Sequence, residues 1–316
     1  MTPVMTALMG LPLAAAVVLR LAGVPIGRRL PPATAVRLLT VAALVTALAT
    51  GFVLAVAALL AAAALPPVAA LGHWSTAAFR SGGTVLSTVG IFAGLTVSVL
   101  LAAALRRAAR SGRDLAYAAW TCRRLGPGAA GLVVIEDEHP DAYALPGLGG
   151  RVIVSTGMLR ALPADERRVL LAHEQAHLTH RHYLYVHLTE LAAAANPLLR
   201  PLTAAVQAGV ERWADEAAAT DVGDRHLVAR ALARAGLAQA AAPASASSPA
   251  SALRGADHGV AARARALLTD PPRPRRDLAG ALLSLVVLTA GAAALTAHDT
   301  EHRFEHAQAI YAITAR

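Results

Sequence analysis

Residues 170–182 of the chain read LLAHEQAHLTHRH. Four of its 12 histidines fall here, His173, His177, His180 and His182, and His187 follows five residues on. His173 and His177 are four apart, with Glu174 directly behind the first, the pattern HExxH. On a helix, residues four apart share a face, so both imidazoles can grip one ion, and zinc is the ion this spacing suits. Glu174 is turned slightly off that line. There it can hold a water and take its proton as the water attacks a polarised carbonyl. The chemistry is metal-assisted peptide hydrolysis. The competing reading is a solvated His/Glu face on a surface helix.

A catalytic zinc takes three protein ligands and keeps one open position. On an unbroken helix His180 would lie about 5.4 Å beyond the turn that holds His177. His182 would point elsewhere, and Glu190 would be too far along. Downstream, VERWADEAAA places Glu211 and Asp215 four apart. Glu211 can supply the third ligand. Asp215, one turn on, can accept a hydrogen bond from a ligand histidine and fix its tautomer. An exposed acidic face, as the adjacent Glu216 suggests, is the alternative. The expected site is one Zn2+ per chain on His173, His177 and Glu211, with Glu174 as base and Asp215 in support. His180, His182 and His187 are then bystanders, with His180 at most lining the cleft.

These residues need elements to carry them. The pattern predicts one long helix over residues 162–191, with Pro163 in its first turn and Asp165 and Glu166 at its positive end. Further helices are expected at 204–220 and 225–239. Residues 131–138 and 150–156 are rich in β-branched side chains and bounded by Pro and Gly, which predicts short strands. An Ala/Ser/Pro tract at about 240–258 has too few large apolar residues to offset its ordering entropy and reads as a flexible loop.

The rest of the chain is more apolar than a soluble domain. Only 16% of the 316 residues are charged, against about 25% in typical soluble proteins. Runs at about 4–24, 38–65, 84–105 and 278–297 each approach or exceed the roughly 20 residues that cross a bilayer. The first has no basic residue before it, which favours a retained span over a cleaved signal. Gly90 and Gly94 form a GxxxG that permits close helix approach, a pattern that chance alone can also give in a Gly- and Ala-rich helix. Residues 191–210 are apolar too, but Pro197, Arg200 and Pro201 interrupt them. A single crossing there would put the histidines and Glu211 on opposite sides, so either this segment lies on or beside the membrane within the peptidase domain, or Glu211 is not the ligand. The expected fold is mainly α: a polytopic membrane protein with four transmembrane helices and an α+β zincin-type metallopeptidase domain containing a small β-sheet. Its parts are a three-helix membrane region (1–105), the zinc domain (106–277) opening with a basic helix over 106–124, a fourth span (278–297) and a short tail (298–316).

Every basic residue is arginine, and net charge is +9. Arg28, Arg29 and Arg37 follow the first span, Arg106, Arg107, Arg110 and Arg113 the third, and Arg273, Arg275 and Arg276 precede the fourth. The loop after the second span has only Arg80, and the tail carries Asp299, Glu301 and Glu305. By the positive-inside rule both termini lie outside and the zinc domain is cytoplasmic, in a bacterial plasma membrane. This use of arginine, with 4% aromatics, leaves no stacking platform for bases, and no direct nucleic-acid binding is expected. Cys122, the single cysteine, excludes an internal disulfide and a Cys-rich zinc site.

HExxH followed by ExxxD, here Glu211 to Asp215, resembles the integral-membrane gluzincin peptidases, both the Ste/HtpX-type proteases and the BlaR/MecR-type antibiotic-sensor peptidases. DAYALPGLGGRVIVSTGML (141–159) is similar to their strand pair ahead of HExxH. That resemblance implies an edge strand taking extended substrate by β-addition, with Tyr143, Ala144, Val152 and Val154 as candidate contacts beside His180. AARARALL before the last span is similar to an arginine-bearing helix in the same group. Three spans, a zinc domain and a fourth span look like BlaR/MecR, which implies inactivation of a BlaI/MecI-type repressor. The tail at 298–316 departs from that family, being too short for its penicillin-binding sensor. His298, His302 and His306 lie at four-residue spacing in this tail; a solvated helix face or an outer metal ion accounts for them.

Three functions follow. The first is a membrane-embedded zinc endopeptidase cutting a cytoplasmic or membrane-proximal protein, such as a transcriptional repressor. The second is an HtpX/Ste-like quality-control protease for membrane proteins. The third is a non-catalytic signalling protein with a vestigial zinc site. The implied partners are a protein or peptide substrate and the lipid bilayer, and the sequence leaves homo-oligomerisation open.

Overall fold

The computed structural model describes residues 3–79, 83–125, 131–147, 149–241, 259–271 and 273–314. The expected loop at 240–258 lies outside the described residues from 242 onward. Among the described residues four helices are long and apolar enough to cross a membrane. They are α1 (Pro3–Arg29), α2 (Pro32–Ala63), α4 (Gly83–Arg124) and α11 (Arg276–Thr314). A short α3 (Pro66–Gly72) and a 3-10 turn (Thr76–Ala78) join α2 to α4. Gly90 and Gly94 face α2: a Cβ at Gly90 would collide with Ala61, and one at Gly94 would come within 3.4 Å of the Ala58 Cβ. The GxxxG is therefore used for close approach.

Two elements run longer than expected. α4 is one helix of 42 residues, so the basic segment at 106–124 continues the third span without a break. No proline interrupts it, and nothing else in the sequence would stop a helix there. α11 likewise stays helical through Thr314, well past the 278–297 apolar run.

Between α4 and α11 lie β1 (Leu132–Ile135), β2 (Ala142–Leu145), β3 (Arg151–Ser155), α5 (Thr156–Ala161), α6 (Ala164–Thr179), α7 (His182–Ala195), a 3-10 turn (Pro197–Leu199), α8 (Arg200–Val222), α9 (Arg225–Ala241) and α10 (Val260–Leu267). The sheet order is β1-β3-β2. β3 is central, parallel to β1 and antiparallel to β2, with Tyr143 opposite Ile153 and Ala144 opposite Val152. β2 lies at an edge of the sheet. The Ser155 hydroxyl fixes the end of β3 by donating to the His139 carbonyl and accepting from the amides of Asp141 and Met158. In the first turn of α6, Glu166 is 1% exposed and paired with Arg230 and Arg234 of α9, each at 3.1 Å.

The single long helix expected over 162–191 is two helices. α6 ends at Thr179, Arg181 adopts a left-handed φ of 52°, and α7 starts at His182. α7 and α8 then form an antiparallel-type hairpin around Asn196, whose side chain caps the turn by accepting from the Leu198 amide. This hairpin packs against the apolar helices. Thr189 Oγ1 meets Thr40 Oγ1 at 3.1 Å, and Asn196 Nδ2 donates to Thr50 Oγ1 at 3.3 Å, both contacts buried. One continuous hydrophobic cluster joins Leu19 of α1, Leu39 of α2, Ala192 of α7, Leu202, Val206 and Trp213 of α8 and Leu282 of α11. Residues 191–210 thus form a turn within the peptidase region, packed beside α1 and α2.

Candidate metal centre

α6 presents His173 and His177 one turn apart, with their Nε2 atoms 3.2 Å from each other. α8 crosses this face and brings Glu211 up to them: its carboxylate oxygens lie 3.7 Å from His173 Nε2 and 3.6 Å from His177 Nε2. The three donor atoms all lie within 4.8 Å of one another. His173 and His177 are largely buried, with side-chain exposures of 14% and 18%. Such a His/His/Glu cluster can coordinate a divalent metal ion.

The other face of each imidazole is engaged. His173 Nδ1 lies 3.1 Å from Asp215 Oδ1, so Asp215 accepts the Nδ1 proton and leaves Nε2 free for a metal. His177 Nδ1 lies 3.1 Å from His182 Nδ1. His182 therefore does not point elsewhere, as an unbroken helix required. The left-handed residue Arg181 turns the chain back, and His182 lands, 1% exposed, against His177 and Trp213. Burial, followed by the neighbouring His177 and His180, pushes the His182 pKa down to about 3. Burial likewise lowers His177 to about 4, with Glu211 opposing and His173 and Arg263 adding to the fall. Both rings are neutral, so one Nδ1 donates and the other accepts. If His177 binds a metal through Nε2, its Nδ1 is the donor. The His182 proton then sits on Nε2, a buried atom with no hydrogen-bond partner among the described residues.

Arg263, on α10, is a second participant beyond the expected site residues. Its Nε and Nη2 grip the two oxygens of Asp215 at 2.7 Å each, and its Nη1 lies 2.9 Å from Glu211 Oε2. This is a bidentate, charge-assisted pair. Burial opposes the Arg263 charge, yet Asp215, Glu211 and Glu174 together hold its pKa above the ordinary arginine range. Burial also works against an ionised Glu211, and the hydrogen bond and charge of His173, with His177 and Arg263, override it and keep the carboxylate ionised. For His173, burial opposes protonation, but Asp215 and Glu211 outweigh it and push the pKa up to about 10. The two carboxylates thus favour the protonated imidazole of His173, and a metal would compete with the proton at its Nε2.

The remaining expected residues fall into place around this centre. Glu174 is half-buried on α6 beside the pair, within electrostatic reach of Arg263. His180 caps α6 and stacks on Trp213 at 4.8 Å between centroids; Arg37 also lies over that indole at 4.8 Å. His187 faces Ser111 and Arg107 on α4, and Arg107 pairs with Glu190. These contacts tie α7 to α4 and lie apart from the metal cluster. Tyr143 and Ala144 are half-buried on the edge strand β2, which packs on α6. Val152 and Val154 lie on the adjoining central strand, Val152 opposite Ala144, but their side chains are in the core, 4% and 0% exposed. A central strand has both its neighbours, so it has no free edge to offer a peptide.

With this geometry in view, residues 110–246 match the model of Peptidase family M48. The stretch contains both metal-bearing helices and the sheet. A protease HtpX homolog from Aeropyrum pernix is 48% identical over 61 residues, 19% of this chain and 19% of that relative, so the match spans about a fifth of its length. No solved structure matches. The matched stretch is thus similar to M48 and HtpX-type metallopeptidases, and it contains the residues of the His/His/Glu cluster. Within the wider group of membrane peptidases, these similarities fall on the HtpX side and do not single out BlaR/MecR.

Proposed function

We propose that this chain is a membrane-embedded, zinc-dependent endopeptidase of the HtpX type, acting on protein segments at or near the bilayer. The observation that carries this reading is the convergence of His173, His177 and Glu211, with the outer nitrogens of both histidines already fixed by Asp215 and His182. Zinc, when bound, supplies a Lewis acid that polarises a carbonyl and acidifies water. Around it, Glu174 receives the proton of the attacking water and passes it to the leaving amine. Arg263 keeps Glu211 and Asp215 ionised and in place. The edge strand β2, through Tyr143 and Ala144, offers its backbone to an extended substrate. The arginine distribution supports a cytoplasmic site; a reporter fused near residue 255 should behave as cytoplasmic, and an external signal would overturn the orientation.

A second reading, regulatory cleavage of a repressor, draws on one observation: three apolar helices precede the metal residues and one follows, the order that resembles BlaR/MecR. One experiment addresses both. Cells carrying the wild type or Glu174→Ala are compared for newly formed protein N-termini, and each purified protein is assayed for zinc content. Wild-type-specific termini in membrane proteins, with zinc retained in both, support the main reading. Termini confined to a DNA-binding repressor support the second. Identical termini in the two strains would reject a peptidase.

A further inference from the structure

α11 carries a second pair of histidines at the spacing used by the metal centre. His298 Nε2 and His302 Nε2 are 3.2 Å apart, the same separation as in the pair on α6. Two imidazole nitrogens this close share a hydrogen bond, and the same two atoms can instead share one cation. Glu305 Oε2 lies 3.1 Å from His302 Nδ1. It accepts the proton there and so leaves the His302 lone pair on Nε2, the orienting role carboxylates play behind metal-binding histidines. The opposite side of this helical segment is packed. Phe304 contacts Trp74 and Phe79 at 5.0 and 4.9 Å between centroids, and Ala307 is fully buried among Met5, Val56 and Ala63. Packing therefore fixes the backbone on which the pair stands, so little order has to be gained on binding. The neighbouring Asp299 is engaged by Arg303 at 2.7 Å.

We propose that His298 and His302 form a second metal site, exchangeable and open to solvent, for a divalent transition-metal ion of the class that prefers imidazole: zinc, nickel or copper. Water completes the coordination, since both rings are exposed. The apolar run of α11 at 278–297 separates this site from the peptidase centre by about 30 Å of helix. A bound ion would take the place of the hydrogen bond that joins the two Nε2 atoms, with Glu305 already on the outer nitrogen.

The test uses the full-length, tag-free chain in detergent micelles, loaded with one equivalent of zinc and dialysed against nickel(II) chloride, with both metals counted. The wild type should take up one nickel beyond the retained zinc. His298→Ala and His302→Ala should each lose that nickel and keep the zinc, which also shows that they fold. Glu305→Gln should weaken nickel binding severalfold. No nickel uptake by the wild type, or equal uptake by His298→Ala and His302→Ala, overturns the site. Because the readout is the difference between wild type and variants, it does not depend on the peptidase assignment.

Discussion

The two histidine pairs of this chain share a four-residue spacing and a 3.2 Å separation of their Nε2 atoms, yet their surroundings differ. On α6 the rings are mostly buried, a second helix supplies Glu211, and both outer nitrogens are held, one by Asp215 and one by His182. On α11 the His302 side chain is 61% exposed, no second helix supplies a ligand among the described residues, and one carboxylate orients one ring. The residue after the first histidine differs in the same sense. Glu174 lies beside its pair, whereas Asp299 is tied to Arg303. Spacing alone makes a place where a metal can sit. Hydrolysis also needs a third ligand, an oriented shell, exclusion of bulk water and a base.

The comparison can be broken one layer at a time. The largest effect is expected from Glu211→Ala, which reduces the inner site to the two-nitrogen state of the outer one. Zinc affinity measured by chelator competition should fall by more than the ~10–100-fold that a supporting residue costs, and hydrolysis should disappear. Zinc binding as tight as in the wild type would remove Glu211 from the ligand set. A smaller loss is expected from His182→Leu, which takes away the partner of His177 Nδ1: roughly 10–100-fold in zinc affinity. His182→Asn keeps a polar atom near the Nδ1 position and should recover most of that loss. Equal losses in the two variants would make His182 a packing residue only. The smallest effect is expected at the outer pair, where His298→Ala with His302→Ala should leave the rate of peptide hydrolysis unchanged. A slowed rate would mean that the two pairs are not independent.

Much of this arrangement was legible in the sequence, for identifiable reasons. HExxH and ExxxD encode helical faces, and a face survives translation from sequence to structure because it depends only on local geometry. The apolar runs were legible because bilayer crossing depends on length and composition. The role of His182 was hidden, because it depends on a helix break at Arg181 that no glycine, asparagine or proline announces. The residue takes a left-handed conformation that arginine seldom adopts, and contacts distant in sequence, His177 and Trp213, stabilise the outcome. Arg263 could be seen as part of a familiar helix, but its partners became evident only when α10 was placed against α8. Val152 and Val154 carried a usable signal. An unbroken VIV run marks a strand buried on both faces rather than an edge.

The hairpin of α7 and α8 bears on how this molecule folds. Its buried side chains Leu199, Leu202 and Val206 share one cluster with Leu19 and Leu39 of the first two helices, and from Arg37 to Thr50 it keeps company with α2 for about 20 Å. The helix that carries Glu211 thus packs one stretch against the apolar helices, while Ala218 and Ala219 near its far end pack with Val169 of α6 and Leu227 and Val228 of α9. A boundary drawn at residues 105 and 277 is convenient in sequence, and the side-chain packing of α8 runs across it. A fragment excised there would present the apolar face of α8 to water. The placing of Glu211 therefore depends in part on the apolar helices that its own helix packs against.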